Sequence, residues 1–222
     1  ERNSAGYSCG FGKSTDSRHT GAVRKVEMMK IYYALNYEGS REESRRLLGE
    51  ALARYTAESG SDPTCRMSEE IQTTEKGKPF LPGGPDFSIS HTGQYWAVLM
   101  DDRPCGLDIQ KWQPSNFLKL AFRFYNKDEY LEVKEKGEAE FFRIWARREA
   151  LRKAEGESVF SEAPSVLWNR VVSEDQFWEI RDITMPFDLA AAVCIGVREE
   201  DIPEEIEMES LLIKSQVLFE EI

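Results

Sequence analysis

A chain of 222 residues can bury a sizeable core as one domain or two small lobes, and its composition, 41% hydrophobic and 31% charged, is ordinary for a soluble globular protein. A net charge of −11 argues against general nucleic-acid binding, which rests on clustered Lys and Arg. No apolar run approaches the about 18 residues that a membrane span needs, and Cys9, Cys65, Cys105 and Cys194 show no C-x-x-C spacing, so reduced thiols in a cytoplasmic protein are expected rather than zinc or disulfides.

Residues Glu1 to Glu27 are rich in Gly, Ser and Arg, with little apolar periodicity and no h-region of a signal peptide. Met28-Met29 leads at once into Lys-Ile-Tyr-Tyr-Ala-Leu-Asn-Tyr, a good first strand. The fold is therefore expected to start near Met29, with residues 1–28 a flexible extension, and His19 is given no role. Ser40 to Thr56 reads as a helix: Ser40 is an N-cap with Glu43 three residues on, and Leu47, Leu48, Ala51, Leu52 and Tyr55 recur at helical spacing. A loop through Ser59-Gly-Ser-Asp-Pro precedes a short strand near Glu70-Ile-Gln-Thr-Thr. Lys76-Gly-Lys-Pro-Phe-Leu-Pro-Gly-Gly-Pro is turn-forming throughout and lacks the order of a P-loop, so it is either a connector or an anion site.

Phe87-Ser-Ile-Ser alternates apolar and hydroxyl residues as a half-buried strand does, with His91 just past its end as a structural group or a site residue. Tyr95-Trp-Ala-Val-Leu-Met100 completes a hairpin. After the turn at Asp101-Asp-Arg-Pro104, Cys105-Gly-Leu-Asp-Ile-Gln110 sends Leu107 and Ile109 to one face and Asp108 and Gln110 to the other. Asp is depleted in strands, so Asp108 is either solvated on an edge or a metal ligand joined by a second acid. Ser115 to Asn126 reads as a helix burying Phe117, Leu118, Ala121, Phe122 and Phe124, and Lys127-Asp-Glu-Tyr opens another that ends before Gly137.

The next helix, Phe141 to Gly156, places Phe142, Trp145, Ala146, Glu149 and Lys153 along one side. Two charges thus continue an apolar stripe. Burying a paired carboxylate and ammonium costs several kcal/mol per ion before their attraction offsets it. An exposed pair at this spacing gains only about 0.3–0.5 kcal/mol, so the pair is either a surface bridge at the stripe's edge or a site. Strands are expected in Ser165–Val172, Phe177–Ile183 and Asp188–Gly196. Glu199 to Glu209, with seven acids in eleven residues, reads as a solvated C-terminal segment.

Three of these pieces, in this order, resemble the phosphopantetheinyl transferases, specifically the larger surfactin-synthetase type. Phe87-Ser-Ile-Ser-His91, preceded by Gly77-Lys-Pro79, is similar to the family's Ser-His segment. Gly106-Leu-Asp-Ile-Gln110 resembles its Gly-[IV]-Asp-Ile-Glu strand, and Trp145-Ala-Arg-Arg-Glu-Ala-Leu-Arg-Lys153 its Trp-x-x-Lys-Glu-[AS]-x-x-x-Lys helix. Phe124-Tyr-Asn-Lys-Asp-Glu-Tyr130 and the Ala-Ala-Val-Cys strand at Cys194 also fit, so the resemblance runs from about Met29 to Val197. It implies an α+β fold of two similar lobes, each a small antiparallel sheet packed with a helix, with the cofactor cleft between them. On this chain the lobes would be residues 29–104 and 105–222.

The activity implied is Mg²⁺-dependent transfer of the 4'-phosphopantetheine arm of coenzyme A to a serine of an apo acyl or peptidyl carrier protein, releasing adenosine 3',5'-bisphosphate. Carrier proteins of this kind serve fatty acid or secondary metabolite biosynthesis. By resemblance, Asp108, Gln110 and Glu149 surround the metal. Glu149 also takes the serine proton, and Lys153 stabilises or protonates the departing phosphate. His91 would contact the 3'-phosphate of coenzyme A, with Ser90 and Lys78 as further phosphate contacts.

The departures are specific. Gln110 replaces a second Glu, removing a full negative charge beside the ion, and Arg148 replaces a Lys with a planar fork. The first lobe lacks a basic helical stretch, for which Arg45 and Arg46 are candidate substitutes. These changes motivate an alternative: a catalytically weakened relative that binds coenzyme A or a carrier without turnover. Carriers are typically acidic, so docking needs cations such as Arg143, Arg147 and Arg152 to gather locally. A monomeric protein in the cytoplasm is expected, without nucleic-acid or membrane partners.

Overall fold

The alternating pattern of the first strand and of the Tyr95 strand becomes paired sheet in the computed structural model, which describes residues 29–59, 71–158, 163–173, 175–198 and 218–221. In chain order the elements are β1 (Lys30–Ala34), α1 (Arg41–Ser59), β2 (Gln72–Thr73), β3 (Pro79–Phe80), β4 (Asp86–Thr92), β5 (Tyr95–Asp101), β6 (Cys105–Gln110), α2 (Phe117–Phe124), α3 (Lys127–Lys136), α4 (Glu138–Glu155), β7 (Arg170–Ser173), β8 (Gln176–Asp182), β9 (Ala190–Gly196) and β10 (Leu218–Glu221). The fold is α+β. One sheet has the order β10-β1-β5-β4, the other β6-β9-β8-β7, and β2 and β3 form a small hairpin.

Each large sheet carries a helix on its outer face. Leu47, Leu48, Ala51 and Leu52 of α1 pack on Tyr32, Trp96 and Val98 of the first sheet. Phe142, Ala146 and Ala150 of α4 pack on Ala190, Ala192 and Cys194 of the second. The inner faces meet through Ile31, Ala97 and Leu99 on one side and Leu107, Ile109, Ala191 and Val193 on the other. Period-two alternation thus gives β6 two jobs: its odd residues join the sheets, and its even residues face α4.

A run of polar side chains fixes the register between the sheets. Strand β6 lies at the edge of its sheet, so every second N–H has no strand to pair with. The N–H of Cys105 donates to Asp86 Oδ2 at 2.9 Å, that of Leu107 to Ser88 Oγ at 2.9 Å, that of Ile109 to Ser90 Oγ at 3.2 Å and that of Lys111 to Thr92 Oγ1 at 3.3 Å. Unsatisfied buried N–H groups are costly, so these polar residues of β4 do the work of a neighbouring strand. The alternation that marks β4 as half-buried is therefore also the seam between the sheets.

Several expectations change. His91 lies within β4 rather than beyond it. Helix α4 starts at Glu138, directly after Gly137 with φ of 87°. The stretch from Ser165 stays irregular until Arg170, because Arg147 of α4 holds it by donating to the carbonyls of Val166 at 2.6 Å and Trp168 at 2.7 Å. Strand β10, grouped from sequence with the second lobe, instead pairs parallel with β1 in the first sheet, where β1 offers a free edge. On α2, Leu118 and Phe122 face outward, 41% and 75% exposed, while Ala121 is buried. Residues 1–28, Glu70 and the acidic run at 199–209 lie outside the described residues. No described helix is long and apolar enough to cross a membrane.

Candidate active site

Glycine at position 106 brings the site together. A Cβ there would lie 2.6 Å from the backbone nitrogen of Ala154 and closer still to the carbonyl oxygen of Ala150. Only a residue without a side chain lets β6 lie this tightly against α4. Two residues on, Asp108 is carried onto the same helix-facing side, 5% exposed. Edge solvation is thereby ruled out as its explanation.

Asp108 Oδ1 accepts from Lys153 Nζ at 2.7 Å and from Ser90 Oγ at 2.9 Å. Lys153 Nζ also donates to Ser90 Oγ at 3.0 Å and to the carbonyl of Leu107 at 3.1 Å. Lys153 is thus drawn towards β6 and pairs with Asp108, rather than with Glu149 one helical turn away. Asp108 Oδ2 is buried and meets no donor among the described residues. Ser90 is itself buried, its hydroxyl consumed by Asp108, Lys153 and the N–H of Ile109.

Glu149 is half-buried on α4, and no described side chain bonds to it. Its carboxyl is pushed up to about 7, by burial first and by the charge of Asp108 second, with Lys153 pulling the other way. This couples Glu149 to Asp108 across the helix–strand contact. Gln110 shares the α4-facing side of β6 at its end, its amide donating to the carbonyl of Lys111 at 3.2 Å. No three His, Cys, Asp or Glu side chains among the described residues form a metal cluster. Two carboxylates, one with a buried oxygen lacking a donor, and an adjacent amide nevertheless suit Mg²⁺, which takes one or two protein carboxylates and fills its shell with water and phosphate.

The raised Glu149 carboxyl has a thermodynamic consequence in the metal-free protein. The unfolded chain loses this proton near the ordinary Glu value of about 4.3, the folded one near 7. Stability from the protonated group is therefore complete below the lower value and is lost as pH rises through the upper one. In chelator, the Tm of the wild type relative to Glu149→Gln is expected to fall between about pH 4 and about pH 7 and to level off above it. A difference that stays flat means that the carboxyl is solvated and not part of this centre.

The loop before β4 closes the other side. Lys76, Gly77, Lys78, Pro79, Ser88, Lys153, Gly156 and Glu157 line a groove of about 280 Å³. Lys76 and Glu157 form an ion pair at its rim. The ammonium of Lys78, expected to meet a phosphate, donates to Asp86 Oδ2 at 2.7 Å and to the carbonyls of Cys105 at 3.2 Å and Ala154 at 3.3 Å. All three of its protons are used in clamping β4, β6 and the last turn of α4. Lys78→Met leaves Asp86 without this partner and is expected to lower stability by about 1–3 kcal/mol. A melting curve checks this, and an unchanged Tm would mean that the ammonium does not clamp the three elements as described.

His91 is exposed, its ring centroid 5.3 Å from that of Tyr37. Arg148 points away from the centre, its Nη1 donating at 2.9 Å to Glu129, a fully buried acid that caps α3 and also accepts from the N–H of Val166 at 3.0 Å. The cations expected at a docking surface behave differently: Arg147 and Arg152 are buried, and Arg143 is engaged by Glu140 and Asp182. The polar positions on α4 that hold Glu129, Glu155 and the 163–169 segment had no signal in the sequence beyond their helical spacing.

Parts of the chain are similar to known proteins. Residues 104–187 match the family model described as the 4'-phosphopantetheinyl transferase superfamily. The chain is 35% identical over 121 residues to 4'-phosphopantetheinyl transferase Sfp of Bacillus subtilis, covering 52% of this chain and 53% of that protein. It is 32% identical over 153 residues to 4'-phosphopantetheinyl transferase psf-1 of Bacillus pumilus, covering 62% and 64%. With 4'-phosphopantetheinyl transferase AcpT of Salmonella typhimurium it shares 33% identity over 133 residues, 56% and 61% of the two chains. The chain thus spans about half the length of the first of these relatives.

Proposed function

We propose that this chain, whose residues 104–187 match the family model described as the 4'-phosphopantetheinyl transferase superfamily, moves the phosphopantetheine arm of coenzyme A to a serine of an apo acyl or peptidyl carrier protein. The observation that carries this reading is the meeting of Ser90, Asp108, Glu149 and Lys153, from three separate elements, beside the groove formed with the Lys76–Pro79 loop. Asp108, Glu149 and Gln110 would hold Mg²⁺, which when bound neutralises the diphosphate that is being cleaved.

Glu149, half-buried on α4 and coupled to Asp108 and Lys153, is the carboxylate proposed to take the proton from the attacking serine. The serine oxygen bonds to the β-phosphorus as the bond to the bridging oxygen breaks, and adenosine 3',5'-bisphosphate departs. Lys153, 29% exposed and lining the groove, can offer a proton or charge to that leaving oxygen. Asp108 and Ser90 hold its ammonium in place. His91, exposed beside Tyr37, remains the candidate for the 3'-phosphate of coenzyme A. The sheet-and-helix halves meeting near Pro104 are read as the two lobes, and coenzyme A as lying between them. A cytoplasmic monomer suits these substrates.

The test is to mix the protein with apo acyl and peptidyl carriers, coenzyme A and Mg²⁺, and to follow intact carrier mass. One phosphopantetheine should be gained per carrier, with an equal amount of adenosine 3',5'-bisphosphate. No gain on either carrier overturns the reading. Bound coenzyme A without gain would favour the weakened relative, for which the neutral Gln110 at the strand end is the supporting observation.

A further inference from the structure

Lys76, Lys78 and Lys153 line the groove beside the centre, and they are held in different ways. Lys153 is tied to Asp108, Ser90 and the carbonyl of Leu107, and Lys78 to Asp86 and the carbonyls of Cys105 and Ala154. Both ammonium groups are thereby drawn into the protein. Lys76, its side chain 52% exposed, is met at the rim by the carboxylate of Glu157, the one acid among the described residues that line the groove. The pair crosses the groove, from the tip of the β2–β3 hairpin to the end of α4.

Its two ends are not equally fixed. The N–H of Glu157 donates to the carbonyl of Arg152 at 2.8 Å, just beyond Gly156 with φ of 73°, so the helix stop sets where the carboxylate lies. On the opposite side β2 and β3 pair through two residues each, and a hairpin that short has little stability of its own. Lys78 anchors its base. Between that anchor and Lys76 stands Gly77, exposed, with φ of 95° and open space where a Cβ would lie. Glycine there lets the tip swing while the clamp stays in place.

The groove of about 280 Å³ is at the small end of the roughly 300–1,000 Å³ of small-molecule sites, whereas coenzyme A is large and strongly anionic. Resting on the transfer reaction of the preceding section, we propose that the Lys76–Glu157 pair is a latch on this groove, and that Glu157 sets the affinity for coenzyme A by competing with its phosphates for Lys76. In the free protein the pair closes the rim. On binding, the tip swings at Gly77, Lys76 exchanges the carboxylate for a phosphate oxygen, and Glu157 turns to water. The pair re-forms as adenosine 3',5'-bisphosphate leaves, so the carboxylate that weakens binding also favours release. The hydrogen bond from Lys76 holds the Glu157 carboxyl below the ordinary Glu range, so it competes as an anion at neutral pH.

The test is a double-mutant cycle on the full chain: wild type, Glu157→Gln, Lys76→Met and the double variant. Calorimetry with Mg²⁺ and without carrier gives Kd for coenzyme A and for adenosine 3',5'-bisphosphate. All four proteins should melt alike, because an exposed ion pair adds little to stability. Glu157→Gln should lower Kd for both probes by about three- to fivefold, the range that breaking an exposed pair permits. In the Lys76→Met background the same substitution should change Kd by less than about twofold, since nothing is left to compete for. No tightening in Glu157→Gln overturns the proposal. So does tightening of equal size with and without Lys76, which would make Glu157 a bare repelling charge, and so does a wild type that binds neither probe. If the affinities follow the cycle and carriers gain no phosphopantetheine, the latch stands and the transfer reaction falls.

Discussion

Asp108→Asn is expected to lower the rate of phosphopantetheine transfer by about a thousandfold or more, a barrier increase of about 4 kcal/mol, while the chain still folds. The side chain keeps its size, so the contact of β6 with α4 survives. The charge that holds Lys153 and polarises the surroundings of Glu149 is lost. The buried Oδ2, which meets no described donor, also ceases to be a carboxylate oxygen able to hold a cation. Because Lys153 is partly exposed, losing the ion pair costs about 1–3 kcal/mol of stability rather than the larger penalty of a fully buried pair. Steady-state transfer assays and a melting curve check both halves. A variant with wild-type kcat would place Asp108 outside the chemistry.

Gly106→Ala is expected to be nearly as damaging by a different route. The added methyl group runs into the backbone of Ala150 and Ala154, where no flexible side chain can swing away. Strand and helix must separate, at a cost of about 3 kcal/mol for overpacking. For a chain of this length that corresponds to a Tm lower by about 6–12 °C. The catalytic loss should exceed what instability explains, since a displacement of about 1 Å between Asp108 and Glu149 suffices for about a hundredfold in kcat. Gly49 in α1 is the control: a Cβ there meets nothing, so Gly49→Ala should be neutral or stabilising by up to about 1 kcal/mol. Equal Tm and kcat in Gly106→Ala and the wild type would mean that the two elements do not touch as described.

The centre was legible in the sequence where a residue was locally out of place. Asp108 between Leu107 and Ile109 contradicts strand preference, and Glu149 with Lys153 contradicts an apolar stripe. Both anomalies resolve at one junction. The hydroxyls of β4 were legible as an alternating pattern, though their partners on β6 were not, because one-dimensional periodicity names a face and not what it meets.

Other features depended on contacts between distant parts of the chain. Strand β10 pairs with β1 from the opposite end of the sequence, and no local pattern announces it. Lys78 reads as a phosphate contact in the sequence, and the clamping of three elements by its ammonium has no local signal there. Helix α2 misled through its composition. Phe117, Leu118, Ala121, Phe122 and Phe124 span too much of the helix circumference for all to face one core, and the structure turns Leu118 and Phe122 outward. A similar surplus of charge on α4 goes inward, where Arg147 and Arg148 find carbonyls and Glu129.

Divalent-ion binding in the presence of coenzyme A tests the shared centre most directly, with Mn²⁺ followed by electron paramagnetic resonance. One ion per chain is expected in the wild type. Asp108→Asn and Glu149→Gln should each weaken that binding by about tenfold or more, as loss of either of two coordinating carboxylates requires. Ion affinity that survives both substitutions unchanged, in folded protein with coenzyme A bound, would contradict a metal held jointly by β6 and α4.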